Sequence, residues 1–485
     1  MTLDPQAAYL ALQAHDARFD GRLFVGVTST GIYCRPVCRV RTPHARNCRF
    51  YANAASAEAH GFRPCLRCRP ELAPGLALID SPQVLATQAA RMIDEAALDA
   101  RELYLPALAA RLGVTDRHLR RIFHDAHGVA PIDYLTTRRL LLAKQLLTDT
   151  ALPVTEVALA SGFSSLRRFN AAFSTRYRMS PTRLRGDAPA RRSAAAAMTL
   201  KLGYRPPYDI DGWLGFMAAR ALPGVEAVSA ANGQWRRTLA LTHQGRRHAG
   251  WLALRFVPAR CEVEASVAPA LLPAAGVIAQ RLRCALDLDA DPALIAPAFA
   301  ALPLRAGLRV PGSIDGFETA VRVILGQQVT VAAARTLTRR LVERLGEAIE
   351  TPFAELTQLF PSPQAIADAS PDDIGTLGIV RQRVRALQAL AREVADGRIV
   401  LHRGAPLAAT LDALRALPGI GEWTVQLIAL RALAWPDAFP ASDIGVLNAL
   451  GTRSPREAEA AAEAWRPWRA YAVIALWQSA LEKTT

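Results

Sequence analysis

The chain has 485 residues, 51% of them apolar, enough for roughly three domains with cores of their own, which excludes a disordered chain. Seven cysteines, two of them isolated (Cys261 and Cys284), make no disulfide framework, and neither a basic-then-apolar leader nor a run of 18 apolar residues occurs, so secretion and membrane spanning are not expected and a reducing cytoplasm is. The formal charge of +15 is uneven: residues 1–200 hold 27 Lys+Arg against 16 Asp+Glu, and residues 201–485 hold 31 against 27, so the front of the chain carries the stronger electrostatic footprint for a polyanion.

Residues 1–75 combine short strand-like stretches such as "RLFVGVT" with many Gly, Pro and Asn breaks, and read as a small α/β unit nucleated by metal. Its stretch "YCRPVCRVRTPHARNCRFYANAASAEAHGFRPCLRCRP" (33–70) sets Cys34 and Cys38, then Cys65 and Cys68, as CxxxC, a 26-residue gap and CxxC. Four thiolates fill a tetrahedral Zn²⁺ site and leave no place for water, which is the usual signature of a structural zinc. Spacing alone leaves open whether one thiolate also reacts. Cys48 falls outside the ligand spacing, and with four cysteines in place His44 and His60 read as ordinary side chains.

From about 82 to 185 the pattern becomes helical. "ALAARLGVTDRHLRRIF" (107–123) has an apolar helix, a turn at Gly113, Thr115 as N-cap, and a second helix bearing Arg117, Arg120 and Arg121. The plan returns in "VTEVALASGFSSLRRFNAAF" (154–173), with a turn at Gly162, Ser164 or Ser165 as N-cap, and Arg167, Arg168 and Asn170 on the second helix. One such corner is common in enzyme cores. Two, joined by the helical "YLTTRRLLLAKQLL", can set basic recognition helices into successive major grooves of double-stranded DNA. "GDAPARRSAAAAM" (186–198) then reads as a linker.

Residues 199–300 mix alternating strands ("RTLALTH", "WLALRFV") with helices, an α+β unit, and 301–485 are helical throughout. The chain is thus multidomain and predominantly α. In "LPGIGEWTVQLIALRAL" (417–433), Gly419 and Gly421 precede a helix whose N-terminal amides can hold one DNA phosphate. Asp443 follows a Pro-rich turn and opens another helix, where a lone Asp is ordinarily an N-cap.

Three families resemble parts of this pattern. Residues 16–72, through "FVGVTSTGIYCRPVCRVR", "RFYANAASAEAHGFRPCLRCRP" and the cysteine spacing, resemble the N-terminal domain of the Ada family of methylation-response proteins. The resemblance implies one zinc held by Cys34, Cys38, Cys65 and Cys68. It also implies irreversible methyl transfer from a DNA methylphosphotriester to Cys34, with Arg35, Arg39, Arg41, Arg63 and Arg67 near the flanking phosphates. Methylation would turn a net −2 site into about −1 and so raise affinity for DNA. Residues 82–185, closing on "FNAAFSTRYRMSPTRLR", resemble the AraC-type double helix-turn-helix domain, which implies promoter DNA and RNA polymerase as partners.

The ordered pair of Gly hairpin and Asp443 resembles the helix-hairpin-helix glycosylases over about 199–482. "YRPPYDIDGWLGFMAARALPGVE", "VRVILGQQVTVAAA" and "WRPWRAYAVIALW" narrow the resemblance to 3-methyladenine DNA glycosylase II. It implies Asp443 as the catalytic carboxylate, Trp423 and Trp477 as pocket walls for a cationic base, and Gln328 and Leu427 where relatives carry an apolar wedge and an aromatic. Related enzymes that also cut the strand carry Lys where this chain has Trp423, so a monofunctional enzyme is expected, without an iron–sulfur cluster. The expectation is a monomeric bacterial protein that senses phosphotriesters, regulates transcription and excises alkylated bases. Two other readings remain open at the level of sequence: a glycosylase whose front half only holds zinc and tethers DNA, and a transcription factor with an inactive glycosylase.

Overall fold

The computed structural model describes residues 5–15, 23–38, 40–51, 57, 60–65, 67–68, 85–86, 89–90, 92–94, 104–150, 152–187, 198–299, 302 and 304–482. Arg39 and most of the expected linker (188–197) lie outside them. The chain divides into two compact units, residues 1–138 and 139–485, and the division falls inside helix Pro131–Asp149.

In the first unit, helix α1 (Pro5–Gln13) packs with a four-stranded sheet of order β3-β1-β2-β4, where β1 is Phe24–Val27, β2 Ile32–Cys34, β3 Cys48–Tyr51 and β4 Arg63–Pro64. β1 and β2 form a hairpin whose turn puts Gly31 at φ +67°, a left-handed conformation that suits glycine. β2 and β4 run parallel, with Tyr33 opposite Pro64, so Cys34 and Cys65 leave the two strands side by side. The amide of Cys65 donates to the Tyr33 carbonyl at 3.0 Å and fixes that register.

Helices α2 (Leu105–Arg111) and α3 (Asp116–His127) then make the first helix-turn-helix. Gly113 turns the chain at φ +68°, and the Thr115 hydroxyl accepts from the His118 amide at 3.2 Å, capping α3. Leu105, Leu108, Leu119, Ile122, Phe123 and Leu135, the last on α4 (Pro131–Asp149), form its core.

The second unit begins with the rest of α4, which carries α5 (Val154–Ala160), α6 (Leu166–Tyr177) and α7 (Pro181–Asp187). Ser165, not Ser164, caps α6 by accepting from the Arg168 amide at 3.2 Å. The sequence expectation separates this half-domain from the α+β unit behind the linker, yet its core of Leu140, Leu146, Val157, Phe163, Phe169 and Phe173 runs without a break into that of the next sheet. Helix α5 lies against the turn Pro269–Ala274. Gln145 donates to the Lys201 carbonyl at 3.3 Å, and Gln244 donates to the Leu159 carbonyl at 3.4 Å.

That sheet is antiparallel, five-stranded and ordered β5-β9-β8-β7-β6: β5 Met198–Gly203, β6 Glu226–Ser229, β7 Gln234–His243, β8 Arg246–Val257 and β9 Glu262–Val267. Alternation along β7 to β9 puts Trp235, Leu239, Leu254 and Val263 inward, against helices α8 (Ile210–Arg220) and α9 (Ala275–Ala285). Apart from α8, the helices that position the site come after it in the chain: α10 (Gly316–Leu325), α11 (Val331–Leu345), α12 (Arg381–Ala395), α13 (Leu407–Arg415), α14 (Glu422–Arg431), α15 (Ile444–Leu450) and α16 (Arg469–Glu482).

Sheet and helical domain are joined by buried charges. Arg237 of β7 donates to Glu318 of α10 at 2.5 Å and Arg322 of α10 donates to Glu226 of β6 at 3.3 Å, while Arg322 also donates to Glu318 within α10 at 2.9 Å and Trp235 to Glu226 within the sheet at 2.8 Å. Glu226, Arg237 and Glu318 are at most 4% exposed. Removing one member of a buried pair leaves the other charge uncompensated, so Arg237→Ala is expected to cost about 3–5 kcal/mol of stability, read by urea unfolding.

A second joint clamps α16, where the Tyr471 hydroxyl donates to Asp287 Oδ2 at 2.7 Å. Burial pushes the Asp287 carboxyl up to about 6, against the opposing pull of Tyr471, the Val310 amide and two arginines. The same carboxyl in the unfolded chain titrates near 3.8. Between these values the native state binds more protons, so stability falls as pH rises from about 4 to about 6 and is level above that. Asp287→Asn is expected to remove this slope, at most about 3 kcal/mol, in unfolding curves taken at pH 4.5 and 7.

Candidate active site and metal centre

Asp443 is the N-cap of α15, placed by the turn in which its own amide donates to the Pro440 carbonyl at 2.8 Å. Its Oδ1 accepts from the amides of Gly445 (3.0 Å) and Val446 (3.1 Å) and from the Trp477 indole N–H (2.8 Å). Its Oδ2 accepts from the Trp423 indole N–H at 2.9 Å. One carboxylate that is 8% exposed thus takes four N–H donors. A Cβ at residue 445 would stand 3.0 Å from Trp477 and 3.1 Å from the Asp443 carboxylate, so any larger residue there would have to displace one of them.

A cavity of about 1130 Å³ opens beside this carboxylate. Trp423 and Trp477 line it, and both turn their N–H edges to Asp443, a geometry that residue spacing does not reveal. Leu427 is a buried part of the lining. Phe216 of α8, which sequence reasoning missed, lies parallel to Trp477, with ring centroids 6.3 Å apart and planes 14° from each other. The Arg220 guanidinium sits 3.7 Å above the Phe216 ring and that of Arg431 sits 5.1 Å from it. Burial, with Arg322 adding to it, lowers Arg220 to about 10 despite the Asp443 charge, and burial beside Arg220 and Arg322 lowers Arg431 to about 9. Both stay protonated at neutral pH, so part of the cavity lining is cationic. The Phe216/Arg220 pair at i,i+4 in "GFMAAR" was the available signal.

The Gly hairpin lies at the same cavity. Gly419 has φ +76°, a left-handed conformation that favours glycine, and a Cβ on it would sit close to Ala386 at 3.3 Å and the Gln382 carbonyl at 3.4 Å. Gly421 is the N-cap of α14, carries no side-chain cap, and has open space where a Cβ would stand. Gln328 is exposed at φ +53° in the turn between α10 and α11, at the cavity rim. Its neighbour Gln327, also missed, donates to the Gly419 carbonyl and the Thr424 hydroxyl, both at 2.9 Å, and so locks that turn to the hairpin. Arg383 donates to the Gln327 carbonyl.

In the first unit the four sulfurs of Cys34, Cys38, Cys65 and Cys68 lie within 4.8 Å of one another, all buried. The donor set fits a tetrahedral zinc ion: four soft thiolates at the right mutual spacing, on two turns held by the β2–β4 register. Cys34 and Cys65 are each 7% exposed, against 2% for Cys38 and 0% for Cys68. Arg41, Arg63 and Arg67 are exposed. Arg35 occupies a buried position instead of the phosphate-facing one expected: it is 1% exposed, its backbone N–H donates to Cys68 Sγ and its guanidinium to the Cys68 carbonyl, both at 3.5 Å. Cys48 stands apart, its thiol donating to the His44 carbonyl at 3.5 Å.

On the helix-turn-helix helices, Arg117, Arg120, Arg121, Arg167, Arg168 and Asn170 are all exposed. Arg120 pairs with Asp116 at 3.1 Å and Arg121 bonds His118 at 3.0 Å, each along its own helix.

Four family models match the chain in order: the metal binding domain of Ada at residues 7–71, a helix-turn-helix domain at 108–187, the AlkA N-terminal domain at 199–315, and the HhH-GPD superfamily base excision DNA repair protein at 321–469. A probable bifunctional transcriptional activator/DNA repair enzyme AlkA of Mycobacterium tuberculosis is 40% identical over 98% of this chain and 96% of its own. The chain belongs to that AlkA family of fused activator and repair proteins. Two separate relatives match its two ends. DNA-3-methyladenine glycosylase 2 of Escherichia coli is 34% identical over 57% of this chain and 95% of its own, and the Ada protein of the same organism is 39% identical over 24% of this chain and 31% of its own. As an AlkA-family member the chain is a DNA-binding protein with a glycosylase module behind a regulator module. Among its described residues no helix is long and apolar enough to cross a membrane.

Proposed function

We propose that this chain excises alkylated purines of the 3-methyladenine class with Asp443, and transfers methyl groups from DNA methylphosphotriesters to Cys34 to become a transcriptional activator. The observation that carries the first half is the Asp443 carboxylate, fixed by four N–H donors at the floor of a cavity large enough for a flipped nucleotide.

The hairpin amides at Gly419 and Gly421 hold a backbone phosphate, and Gln328 fills the gap left by the extruded base. The base enters beside Trp477 and Phe216. As the glycosidic bond stretches, positive charge grows on the deoxyribose, and Asp443 stands ready to stabilise it and to orient water at the anomeric carbon. The alkylated purine already carries a formal positive charge and leaves without a strong general acid. Trp423 occupies the place where strand-cutting relatives have lysine, which supports simple hydrolysis.

In the zinc domain, one ion bound to the four cysteines would keep them as thiolates at neutral pH. The Cys34 sulfur attacks the methyl carbon; an S–C bond forms, the C–O bond breaks, and its electron pair stays on the phosphate oxygen. Cys34 and Cys65 are more accessible than Cys38 or Cys68, and of the two the Ada resemblance selects Cys34. Loss of one negative charge at this surface strengthens promoter binding through the exposed helices α3 and α6, where RNA polymerase is then recruited. The excision half is tested by incubating the chain with a methylated duplex and separating the released bases. Free 3-methyladenine accumulating over many turnovers supports the reading, and an intact base complement after prolonged incubation contradicts it.

A further inference from the structure

Beside Cys34 lies a second, much smaller cavity, of about 10 Å³, walled by Leu12, Val25, Val27, Val40 and Pro43 and touching Cys34 and Cys38. Its floor is closed, since Leu12 and Val25 are 4% and 1% exposed, while Val27, Val40 and Pro43 are half-buried and form a rim that reaches the surface. The Tyr9 hydroxyl, donating to the Pro43 carbonyl at 3.0 Å, pins α1 to one side of that rim.

A space of this size holds one group about as large as a water molecule, and its lining is aliphatic apart from the two sulfurs and Thr42. A largely aliphatic hollow forfeits dispersion contacts along its walls, so a small domain keeps one at a cost. Here the hollow adjoins the sulfur that receives an alkyl group, and a methyl group matches it in both size and polarity.

We propose that this recess is an alkyl-binding subsite that takes the methyl carbon of the phosphotriester as it passes to Cys34, and that Val27 and Val40 at its rim exclude longer alkyl groups. The inference rests on the methyl-transfer reading and adds to it a specificity: methyl is accepted, ethyl and larger groups are turned away. Balance is unchanged, since the alkyl group moves from phosphate oxygen to sulfur and the phosphodiester leaves with the electron pair.

The test uses the full zinc-loaded chain, with intact mass and peptide mapping of Cys34 as readout and zinc content as a check on each variant. Two pairs of probes are compared: duplexes bearing a single methyl or ethyl phosphotriester, and methyl iodide against ethyl iodide, with glutathione giving the intrinsic ethyl-to-methyl ratio. In the native chain, Cys34 is expected to show an ethyl-to-methyl ratio at least tenfold below that of glutathione. Val40→Ala or Val27→Ala, which widen the rim, should raise the ratio about tenfold, and Val27→Ile should slow methylation itself. A native ratio equal to that of glutathione, or a ratio that neither alanine variant moves, overturns the recess. The parent reading fails separately: iodides that discriminate at Cys34 while methyl phosphotriester DNA leaves no adduct would keep the recess and sink the transfer from DNA.

Discussion

Asp443→Asn is expected to slow base release by about a thousandfold or more while leaving the fold in place. Asparagine is as good an N-cap as aspartate, so α15 keeps its bonds to the Gly445 and Val446 amides. What changes is the charge. The native carboxylate accepts from two indoles and two amides and presents a full negative charge to the sugar, and removing one well-placed electrostatic partner of a transition state costs on the order of a hundred- to a thousandfold. Here the lost partner is an ion and its surroundings are cationic, Arg220, Arg322 and Arg431 lying at the same cavity, so unbalanced positive charge then opposes the developing cation. One amide N–H of the new side chain also faces an indole N–H, which costs about 1–3 kcal/mol of stability. Single-turnover release of 3-methyladenine reads the first effect and thermal unfolding the second. Excision at the native rate would remove Asp443 from the chemistry.

Cys34→Ser is expected to abolish the +14 Da adduct formed on methylated DNA and to weaken zinc binding, because serine is a poor soft-metal ligand. Base release should be unchanged, since Cys34 and Asp443 lie in separate compact units. Cys48→Ser serves as the control: its thiol bonds only the His44 carbonyl among the described contacts, and burial raises it above the ordinary thiol range, so the adduct should survive its loss. Intact-mass spectrometry with metal analysis reads all three proteins. An adduct that persists in Cys34→Ser places the acceptor elsewhere, with Cys65, equally exposed, the next candidate.

Features set by local spacing were legible in the sequence. The two cysteine pairs, the Gly113 and Gly162 corners with their hydroxyl caps, the Gly419 hairpin and the N-cap position of Asp443 each depend on residues within a turn or two of one another. Features set by tertiary approach were not. Phe216 reaches Trp477 across 261 positions and Gln327 reaches Gly419 across 92, and although Phe216 pairs locally with Arg220, nothing local says which distant residue either one meets. The glycosylase resemblance put Trp423 and Trp477 at the pocket wall but could not say that their edges, not their faces, would meet the carboxylate. Arg35 read as one more surface arginine beside a cysteine, whereas the CxxxC turn folds it inward onto Cys68. The shared core of the second helix-turn-helix with the following sheet escaped for the same reason: a helix such as α5 shows that it is apolar, not what covers it.

The most direct measurement is one reaction, with an alkylated duplex in excess over the full chain, followed by intact mass and by chromatography of released bases. The account predicts a single +14 Da adduct at Cys34, saturating at one per chain, while free 3-methyladenine continues to rise past one equivalent. Release without any adduct under saturating damage, or an adduct without release, would contradict the union of the two activities in this chain.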